Sequence, residues 1–197
     1  MEEQLRREGK EMNKKQWREK ALAFLKSLPT EEKRNIEDTF HNHLFSHPLW
    51  KESKMIGTTL SSALEWDTRR IIEQAWKEGK EVVVPKTLPK TKQMNFYLIF
   101  SFNQIAPGHF GMDEPLLEKA MVVDKDEIDL LLVPGLIFHP KGYRIGFGGG
   151  YYDRFLMDFM NTTVSFAHSK QIESAIPTES HDIPMDYLLT EEKWIQT

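Results

Sequence analysis

The feature that most constrains this chain is a glycine-rich stretch at residues 142–156, because glycine loses more conformational freedom on folding than any other residue. Four glycines fall within five residues, Gly146 and residues 148–150. Such a cluster is typical of a backbone that needs positive φ angles or approaches another group closely. An apolar run at residues 129–138 precedes it, and a helical segment at residues 151–160 follows it. This order of an apolar run, a glycine cluster and a helical segment predicts a buried strand, a tight loop and a helix that begins after the last glycines.

This loop is a candidate anion site. Free backbone N–H groups at a helix start, together with the helix dipole, attract negative charge. We therefore expect residues 148–150 to bind a phosphate, to which Arg144 adds a bidentate contact. Asp153 is a hard oxygen ligand near the same phosphate, as Mg²⁺ prefers. The pattern alone leaves a mobile glycine-rich loop equally open, since it matches neither the Walker A motif nor the usual Rossmann spacing.

Length and composition indicate one ordinary globular domain. The 197 residues are 40% hydrophobic and 28% charged, which is enough to bury a core. The net charge of −4 argues against a general nucleic-acid binder. The absence of cysteine excludes disulfides, thiolate zinc sites and cysteine nucleophiles, and it fits a cytoplasmic protein. No apolar run approaches the roughly 20 residues of a membrane span, and the charged N-terminus lacks a secretory signal, so we expect no membrane partner.

The pattern of charged and apolar residues in the N-terminal part predicts a frayed extension followed by an amphipathic helix. Residues 1–12 are mostly charged and are expected to fray, and Met12 is a candidate biological start. A helix is predicted over residues 13–28, because apolar side chains recur there at helical spacing: Trp17, Ala21, Phe24, Leu25 and Leu28. Lys14 and Arg18, four residues apart, share one face of this helix. By pattern alone they are a solvated basic face.

A second helix is predicted to begin at Thr30 as its N-cap, with acidic residues in its first turn. Its buried stripe consists of Ile36, Phe40, Leu44 and Phe45. The same segment carries three histidines, His41, His43 and His47. Because no carboxylate motif accompanies them, surface or packing roles are favoured over a metal site.

A βαβ unit is predicted next. It comprises a strand at residues 54–60, a helix capped by Asp67 or Thr68 and ended by Gly79, and a strand at residues 82–85.

Ligands bind at the carboxyl ends of strands in such units, so Leu60 and Glu65 are predicted at a ligand edge. A solvated loop acid is an equally good interpretation of Glu65. The fold class is predicted to be α/β with a mainly parallel sheet. Further strands are predicted at residues 94–100, 122–124, 164–168 and 187–191.

The segment from Asp129 to Leu156 resembles the signature of 5-formyltetrahydrofolate cyclo-ligases, also called 5,10-methenyltetrahydrofolate synthetases. It runs Asp-Leu-Leu-Leu-Val-Pro-Gly-Leu-Ile-Phe-His-Pro-Lys-Gly-Tyr-Arg-Ile-Gly-Phe-Gly-Gly-Gly-Tyr-Tyr-Asp-Arg-Phe-Leu. The chain departs from the family pattern at His139, usually Asp, and at Phe147, often Tyr or Arg. Neither change removes a glycine. The resemblance extends from about Lys14 to Glu191.

The resemblance implies a single three-layer αβα domain over residues 13–197, similar to sugar-phosphate isomerases and coenzyme A transferases. It implies ATP- and Mg²⁺-dependent conversion of 5-formyltetrahydrofolate to 5,10-methenyltetrahydrofolate, with release of ADP and phosphate through an iminium phosphate. The chain would then be a cytoplasmic ligase of one-carbon metabolism, a monomer or a weak dimer, without a nucleic-acid partner.

The resemblance also implies site residues. For ATP these are Lys14, Lys15, Arg18, Arg144, Ile145, Gly146, Phe147, Gly148, Gly149, Gly150, Tyr151 and Tyr152. For the folate they are Leu60, Glu65, Phe147, Gly148, Gly149, Gly150 and Tyr151, with Glu65 accepting from pterin N–H groups. Asp153 and Asp182 would hold Mg²⁺. The catalytic residues would be Arg144, Tyr152 and Asp153. The segment from Phe110 to Pro115 also matches the family and is expected to have a structural role near the site.

Two other functions stay open. One is an isomerase or transferase of the same architecture that acts on a sugar phosphate without ATP. The other is a non-catalytic protein that binds folate or nucleotide. The joint presence of six charged residues argues against both: Lys14, Arg18, Glu65, Arg144, Asp153 and Asp182.

Overall fold

The structure is a computed structural model that describes residues 11–108 and 113–197. This part of the chain forms five α-helices, α1 (Lys14–Ser27), α2 (Thr30–Ser46), α3 (Pro48–Glu52), α4 (Arg69–Lys77) and α5 (Tyr151–Leu156). Its strands are β1 (Met55–Gly57), β2 (Glu81–Leu88), β3 (Gln93–Ile99), β4 (Ile105–Pro107), β5 (Asp113–Pro115), β6 (Met121–Val123), β7 (Leu130–Leu132), β8 (Ile137–Phe138), β9 (Arg144–Ile145), β10 (Thr162–Phe166), β11 (Tyr187–Leu189) and β12 (Trp194–Gln196).

An eight-stranded mixed sheet organises the fold, in the order β12-β11-β10-β7-β1-β2-β3-β6. The five neighbouring strands β11, β10, β7, β1 and β2 are parallel to one another. Antiparallel strands extend both ends of this parallel core, β12 on one side and β3 with β6 on the other. The predicted α/β fold with a mainly parallel sheet is confirmed, and β1, α4 and β2 form the predicted βαβ unit.

Both faces of the sheet are buried, each in its own core cluster. Successive residues of a strand point to opposite faces and so belong to different clusters. In β2, Val82 and Val84 belong to a core cluster with side chains of α1, α2, α3 and α4. Val83, between them, belongs to a second cluster with side chains of α5. Four helices therefore pack on one face, whereas a six-residue helix and loops pack on the other. Burial on both sides explains why the central strands are continuous apolar runs.

The first helix agrees with its prediction, and the start of the second does not. Asn13 caps α1 in a capping box with Gln16, and Trp17 is buried. The expected N-cap of α2, Thr30, instead lies within the helix, and Pro29 takes the N-cap position. Pro29 is extended, with ψ 144°, and its carbonyl accepts the Lys33 N–H at 2.9 Å. A proline suits this position because it has no N–H that needs a partner.

Several predicted elements are longer than those observed. The strand predicted at residues 54–60 ends at Gly57, since the chain then turns into a loop held by the Thr68 hydroxyl, which donates to the Thr59 carbonyl at 2.6 Å. The apolar run at residues 129–138 is split between β7 and β8, because Pro134 has no N–H for a strand ladder. The helix predicted over residues 151–160 ends at Leu156, and Met157 and Met160 beyond it are exposed.

The predicted extension overlaps the described chain only at Glu11 and Met12. Met12 is buried in the core cluster that contains the α1 side chains. Residues 1–10 lie outside the described residues. Within the described ranges, no helix combines the length and the apolar character needed to cross a membrane.

Candidate active site

A cavity of about 600 Å³ opens at the carboxyl ends of β1, β2 and β7, within the size range of small-molecule sites. Its walls come from α1, the loop after β1, the β2–β3 hairpin, β5, the glycine-rich loop and the segment before β11. The structure thus brings together residues that lie far apart in sequence. Those of the predicted site that line the cavity are Lys14, Arg18, Leu60, Glu65, Arg144, Ile145, Gly146, Phe147, Gly148, Gly149, Gly150, Tyr151, Tyr152, Asp153 and Asp182.

The glycine-rich loop forms one wall and leads directly into α5. Gly148 and Gly150 have φ angles of +104° and +65°, a region that side chains other than glycine rarely adopt. A Cβ atom at Gly149 would lie 2.7 Å from the Tyr151 ring. At Gly146 an added Cβ would meet no described atom within 4 Å. Backbone geometry therefore requires glycine at 148 and 150, whereas the space beside Gly146 is open.

Arg18 joins α1 to this loop. Its Nε donates to the Gly146 carbonyl at 2.8 Å, and its guanidinium carbon would lie 3.4 Å from a Cβ at Gly148. The positive charge of α1 thus lies against the glycines themselves.

Lys14 lies one turn earlier on α1 and is paired with acids of the segment before β11. Its Nζ lies 2.9 and 3.0 Å from the two Asp182 carboxylate oxygens and 3.4 Å from Glu179. His181 Nε2 lies 3.2 Å from the other Glu179 oxygen. The side chain of Asp182 is only 8% exposed. The residue predicted to bind ATP and the second predicted Mg²⁺ ligand are therefore in direct contact.

Arg144 is the buried cation of the site. Its Nη1 donates to the Ile183 carbonyl at 3.0 Å, and its Nη2 lies 3.2 Å from Asp153 Oδ1. Burial lowers the pKa of the Arg144 guanidinium, and the Asp153 charge opposes that shift. Two protein partners thus occupy guanidinium N–H donors that were expected to bind a phosphate. Arg144 also links β9 to α5 and to residue 183.

Tyr152 contributes a buried hydroxyl to the same cavity as Glu65. The hydroxyl has no hydrogen-bond partner among the described residues. Burial raises the pKa of Tyr152 well above its usual range, the Glu65 charge raises it further, and Arg144 opposes both. The phenol is therefore protonated at neutral pH and can donate a hydrogen bond. Glu65 is oriented by the Ser62 N–H, which donates to Oε2 at 2.8 Å.

Some predicted residues lie elsewhere. Lys15 does not line the cavity, and its 82% exposed side chain lies 4.0 Å from Glu19. Of the three histidines, His41 is buried with Nε2 3.0 Å from the Asp67 carbonyl, and burial lowers its pKa. His47 accepts the Leu49 N–H at 3.2 Å. Within the described ranges no group of three or more His, Asp or Glu side chains is arranged to hold a metal.

The β2–β3 hairpin and β5 contribute cavity-lining residues that the sequence did not predict. Thr87 and Met94 of the hairpin line the cavity, as does Glu114 of β5. Glu114 is buried and lies 2.6 Å from the Lys86 ammonium. It belongs to the segment at residues 110–115 that was expected to be structural, of which residues 110–112 lie outside the described residues. The alternation of residues along the strand predicts that Met94 is buried, but it does not show that the buried face borders a cavity.

Known proteins of one family are similar to this chain over most of its length. The model of the 5-formyltetrahydrofolate cyclo-ligase family matches residues 10–191. The 5-formyltetrahydrofolate cyclo-ligase of Escherichia coli K12 is 27% identical over 172 residues, which are 85% of this chain and 94% of that protein. The mouse enzyme of the same name is 28% identical over 185 residues, 85% of this chain and 88% of that one. The NMR structure of Aquifex aeolicus 5,10-methenyltetrahydrofolate synthetase superimposes with a TM-score of 0.83 at 32% identity, covering 94% of this chain and 93% of that one.

Proposed function

Because the chain belongs to the 5-formyltetrahydrofolate cyclo-ligase family, we propose that it converts 5-formyltetrahydrofolate to 5,10-methenyltetrahydrofolate with ATP and Mg²⁺. The observation that carries the proposal is one cavity lined by the glycine-rich loop, two cations of α1, the carboxylates of Asp153 and Asp182, and the side chains of Glu65 and Tyr152. Such a collection suits two ligands at once, a nucleotide and a flat polar heterocycle. The catalytic domain is proposed to span residues 13–197, with Met12, the last residue of the predicted extension, packed against it.

The nucleotide phosphates are proposed to bind at the glycine-rich loop. Arg18 already contacts that loop, and Lys14 lines the same cavity. Backbone N–H groups and fixed cations stabilise phosphoryl charge without reorganisation during the reaction. In the ligand-free arrangement Lys14 is held by Asp182, so phosphate binding would exchange one anionic partner of Lys14 for another.

Asp153 and Asp182 fit a magnesium ion that is shared with phosphates. Mg²⁺ in nucleotide sites is bound through one or two carboxylates plus phosphate oxygens and waters, so a cluster of three protein ligands is not required. These two residues would hold it, and when bound it would supply positive charge to the phosphate oxygens. Arg144 orients Asp153 for this task.

The folate is proposed to lie beside Glu65, Leu60 and the aromatic residues of the loop and α5. The Glu65 carboxylate can accept from the amino and ring N–H groups of a pterin. The Tyr152 hydroxyl can donate to a ligand acceptor, which would satisfy an otherwise unpartnered buried group. Aromatic faces such as those of Phe147 and Tyr151 pack well on pterin or benzoyl rings.

The reaction needs positioning and charge stabilisation, without a covalent bond to the protein. The formyl oxygen attacks the γ-phosphorus of ATP, ADP leaves, and the formyl group becomes an iminium phosphate. The anilino nitrogen then attacks the activated carbon and loses its proton, and phosphate leaves with the former formyl oxygen as the ring closes. Arg144 and Arg18 would oppose the negative charge that develops on the transferred group.

A direct assay tests this function. Purified protein is mixed with 5-formyltetrahydrofolate, ATP and Mg²⁺, and the methenyl absorbance is followed. We expect product only when all components are present. Folded protein that yields none would contradict the proposal. Turnover of a sugar phosphate without nucleotide would indicate the isomerase or transferase alternative, and tight calorimetric binding of folate without product would indicate a non-catalytic binding protein.

A further inference from the structure

The loop between β1 and α4 brings Glu65 to the cavity, although no strand or helix fixes it there. Residues 58–68 belong to neither kind of element. The base of the loop is closed by two reciprocal hydrogen bonds, in which the Ser61 N–H donates to Thr68 Oγ1 and the Thr68 N–H donates to Ser61 Oγ, both at 3.1 Å. The tip at residues 62–67, which includes Glu65, lies beyond this closure. Its position therefore depends on contacts with other elements.

Two side chains of α2 bind the backbone of this tip. The Lys33 ammonium donates to the Ala63 carbonyl at 2.9 Å and to the Glu65 carbonyl at 2.7 Å. Glu37 Oε1 accepts the Asp67 N–H at 3.0 Å and lies 3.6 Å from the Lys33 ammonium. The contacts thus hold peptide groups both before and after the Glu65 side chain.

A third side chain of α2, His41, continues the same row. Its Nε2 lies 3.0 Å from the Asp67 carbonyl, and because a carbonyl oxygen only accepts, Nε2 is the donor. Lys33, Glu37 and His41 are spaced four residues apart, so they share one face of the helix. These three residues form the α2 row. They are not among the cavity-lining residues, so their polar atoms serve the loop and not a ligand in the cavity.

The Glu65 carboxylate is held within the loop by a local turn. The Ser62 N–H donates to Glu65 Oε2 at 2.8 Å, and the Glu65 N–H donates to the Ser62 carbonyl at 3.0 Å. The next residue, Trp66, is buried, and its indole N–H donates to Gln171 at 3.1 Å. Trp66 therefore anchors the tip in the core at one residue, and the α2 row holds the peptide groups around it.

We infer that Lys33, Glu37 and His41 are positioning residues for folate binding, which act through the Glu65 carboxylate. This inference rests on the proposed function. A carboxylate that accepts paired N–H groups of a pterin must be held in one orientation, because a loop that becomes ordered only on binding lowers the affinity. The α2 row supplies this order before the ligand arrives, from outside the cavity.

Substitutions at Lys33 test the inference. The dissociation constants of 5-formyltetrahydrofolate and of ATP are measured separately by calorimetry. Lys33→Met keeps the aliphatic stem but removes the donor, and it should weaken folate binding by about tenfold because two loop carbonyls lose a charged donor. Lys33→Arg keeps N–H donors and should bind folate within about twofold of the unmodified protein. The ATP affinity should be the same in both variants.

The matched control is Arg34→Met. It removes the same charge at the adjacent, exposed position of α2, and it should change either affinity by less than about twofold.

A double-mutant cycle shows whether Lys33 acts through Glu65. Glu65→Ala alone should weaken folate binding by about tenfold. Adding Lys33→Met should weaken it by less than about twofold more, because residues that act through one group are not additive. Glu37→Leu removes the acceptor of the Asp67 N–H and should reproduce the effect of Lys33→Met, so it carries the test if Lys33→Met does not fold. Glu37→Gln keeps an acceptor oxygen and should retain the affinity.

Unchanged folate affinity in Lys33→Met and Glu37→Leu would overturn the inference. So would an equal loss of folate and ATP affinity, which would indicate general damage to the fold, or full additivity with Glu65→Ala. If the unmodified protein forms the methenyl product and the α2 variants bind folate as it does, the proposed function stands and only this inference fails. If the unmodified protein binds no folate, both fail.

Discussion

At the scale of single residues, the site combines side chains that form ion pairs with a buried hydroxyl that has no hydrogen-bond partner among the described residues. Lys14 is paired with Asp182, and Arg144 with Asp153. The buried Tyr152 hydroxyl, in contrast, has no described partner. A buried hydroxyl without a hydrogen bond costs stability, so its retention is explained if a ligand satisfies it.

The variant Tyr152→Phe tests this interpretation. Removing an unsatisfied hydroxyl should leave the free energy of unfolding unchanged or raise it by about 1 kcal/mol. It should weaken binding of 5-formyltetrahydrofolate by about tenfold, the value of one hydrogen bond from a desolvated donor. Urea unfolding and calorimetry measure the two quantities, with Tyr143→Phe as a control because Tyr143 is not among the cavity-lining residues. A variant that loses stability but keeps its folate affinity would assign Tyr152 to packing alone.

Several residues of the candidate site could be predicted from the sequence, and the reason differs between them. Lys14 and Arg18 share a helix face by spacing, and Glu65 follows a strand of a βαβ unit. That these side chains line one cavity with the glycine-rich loop was inferable only from resemblance, because spacing does not show what a helix face contacts. Glu114 was assigned a structural role, since nothing local distinguishes a buried acid at a cavity from one in a core.

At the scale of elements, the glycine-rich loop separates two roles of glycine. Gly148 and Gly150 adopt positive φ angles, so the backbone requires them even without a ligand. Gly146 has neither a positive φ nor a described neighbour within 4 Å of an added Cβ. A requirement for glycine at 146 would therefore come from the approach of a ligand to the backbone.

A pair of substitutions distinguishes these roles. Gly146→Ala should retain stability or gain up to about 1 kcal/mol, because its backbone conformation is compatible with alanine. It should weaken ATP binding by about tenfold, since a methyl group would stand between the loop and the phosphates. Gly79→Ala is the matched control, because Gly79 has a φ of +74° at the end of α4. It should lose about 1 kcal/mol of stability and bind ATP normally. An ATP affinity unaffected by Gly146→Ala would remove residue 146 from the nucleotide site.

The elements themselves were predictable where local pattern and tertiary structure agree. Periodicity and the Asn13 cap locate α1 closely, and Gly79 locates the end of α4. Strand ends were less predictable, since the β-branched residues Thr58 and Thr59 favour a strand but lie beyond the end of β1. The strand β12 was not predicted, because Trp194 to Gln196 is short and pairs with β11 only through the tertiary fold.

At the scale of the whole molecule, the sheet brings together segments that lie far apart in sequence, α1 and the segment before β11. Lys14 and Asp182 are separated by 168 positions, yet they form one ion pair. The parallel strands direct their following loops to the same edge, as expected for ligand sites of α/β proteins. The hairpin and β5 complete the cavity from the antiparallel side. The central claim is that one cavity binds the nucleotide and the folate side by side.

The most direct measurement is a crystal structure with 5-formyltetrahydrofolate, Mg²⁺ and a non-hydrolysable ATP analogue. The phosphates should lie within hydrogen-bonding distance of the backbone N–H groups of residues 146–150 and of Arg18, with the pterin against Glu65. Phosphates bound elsewhere on the molecule, or a pterin remote from Glu65, would contradict the account.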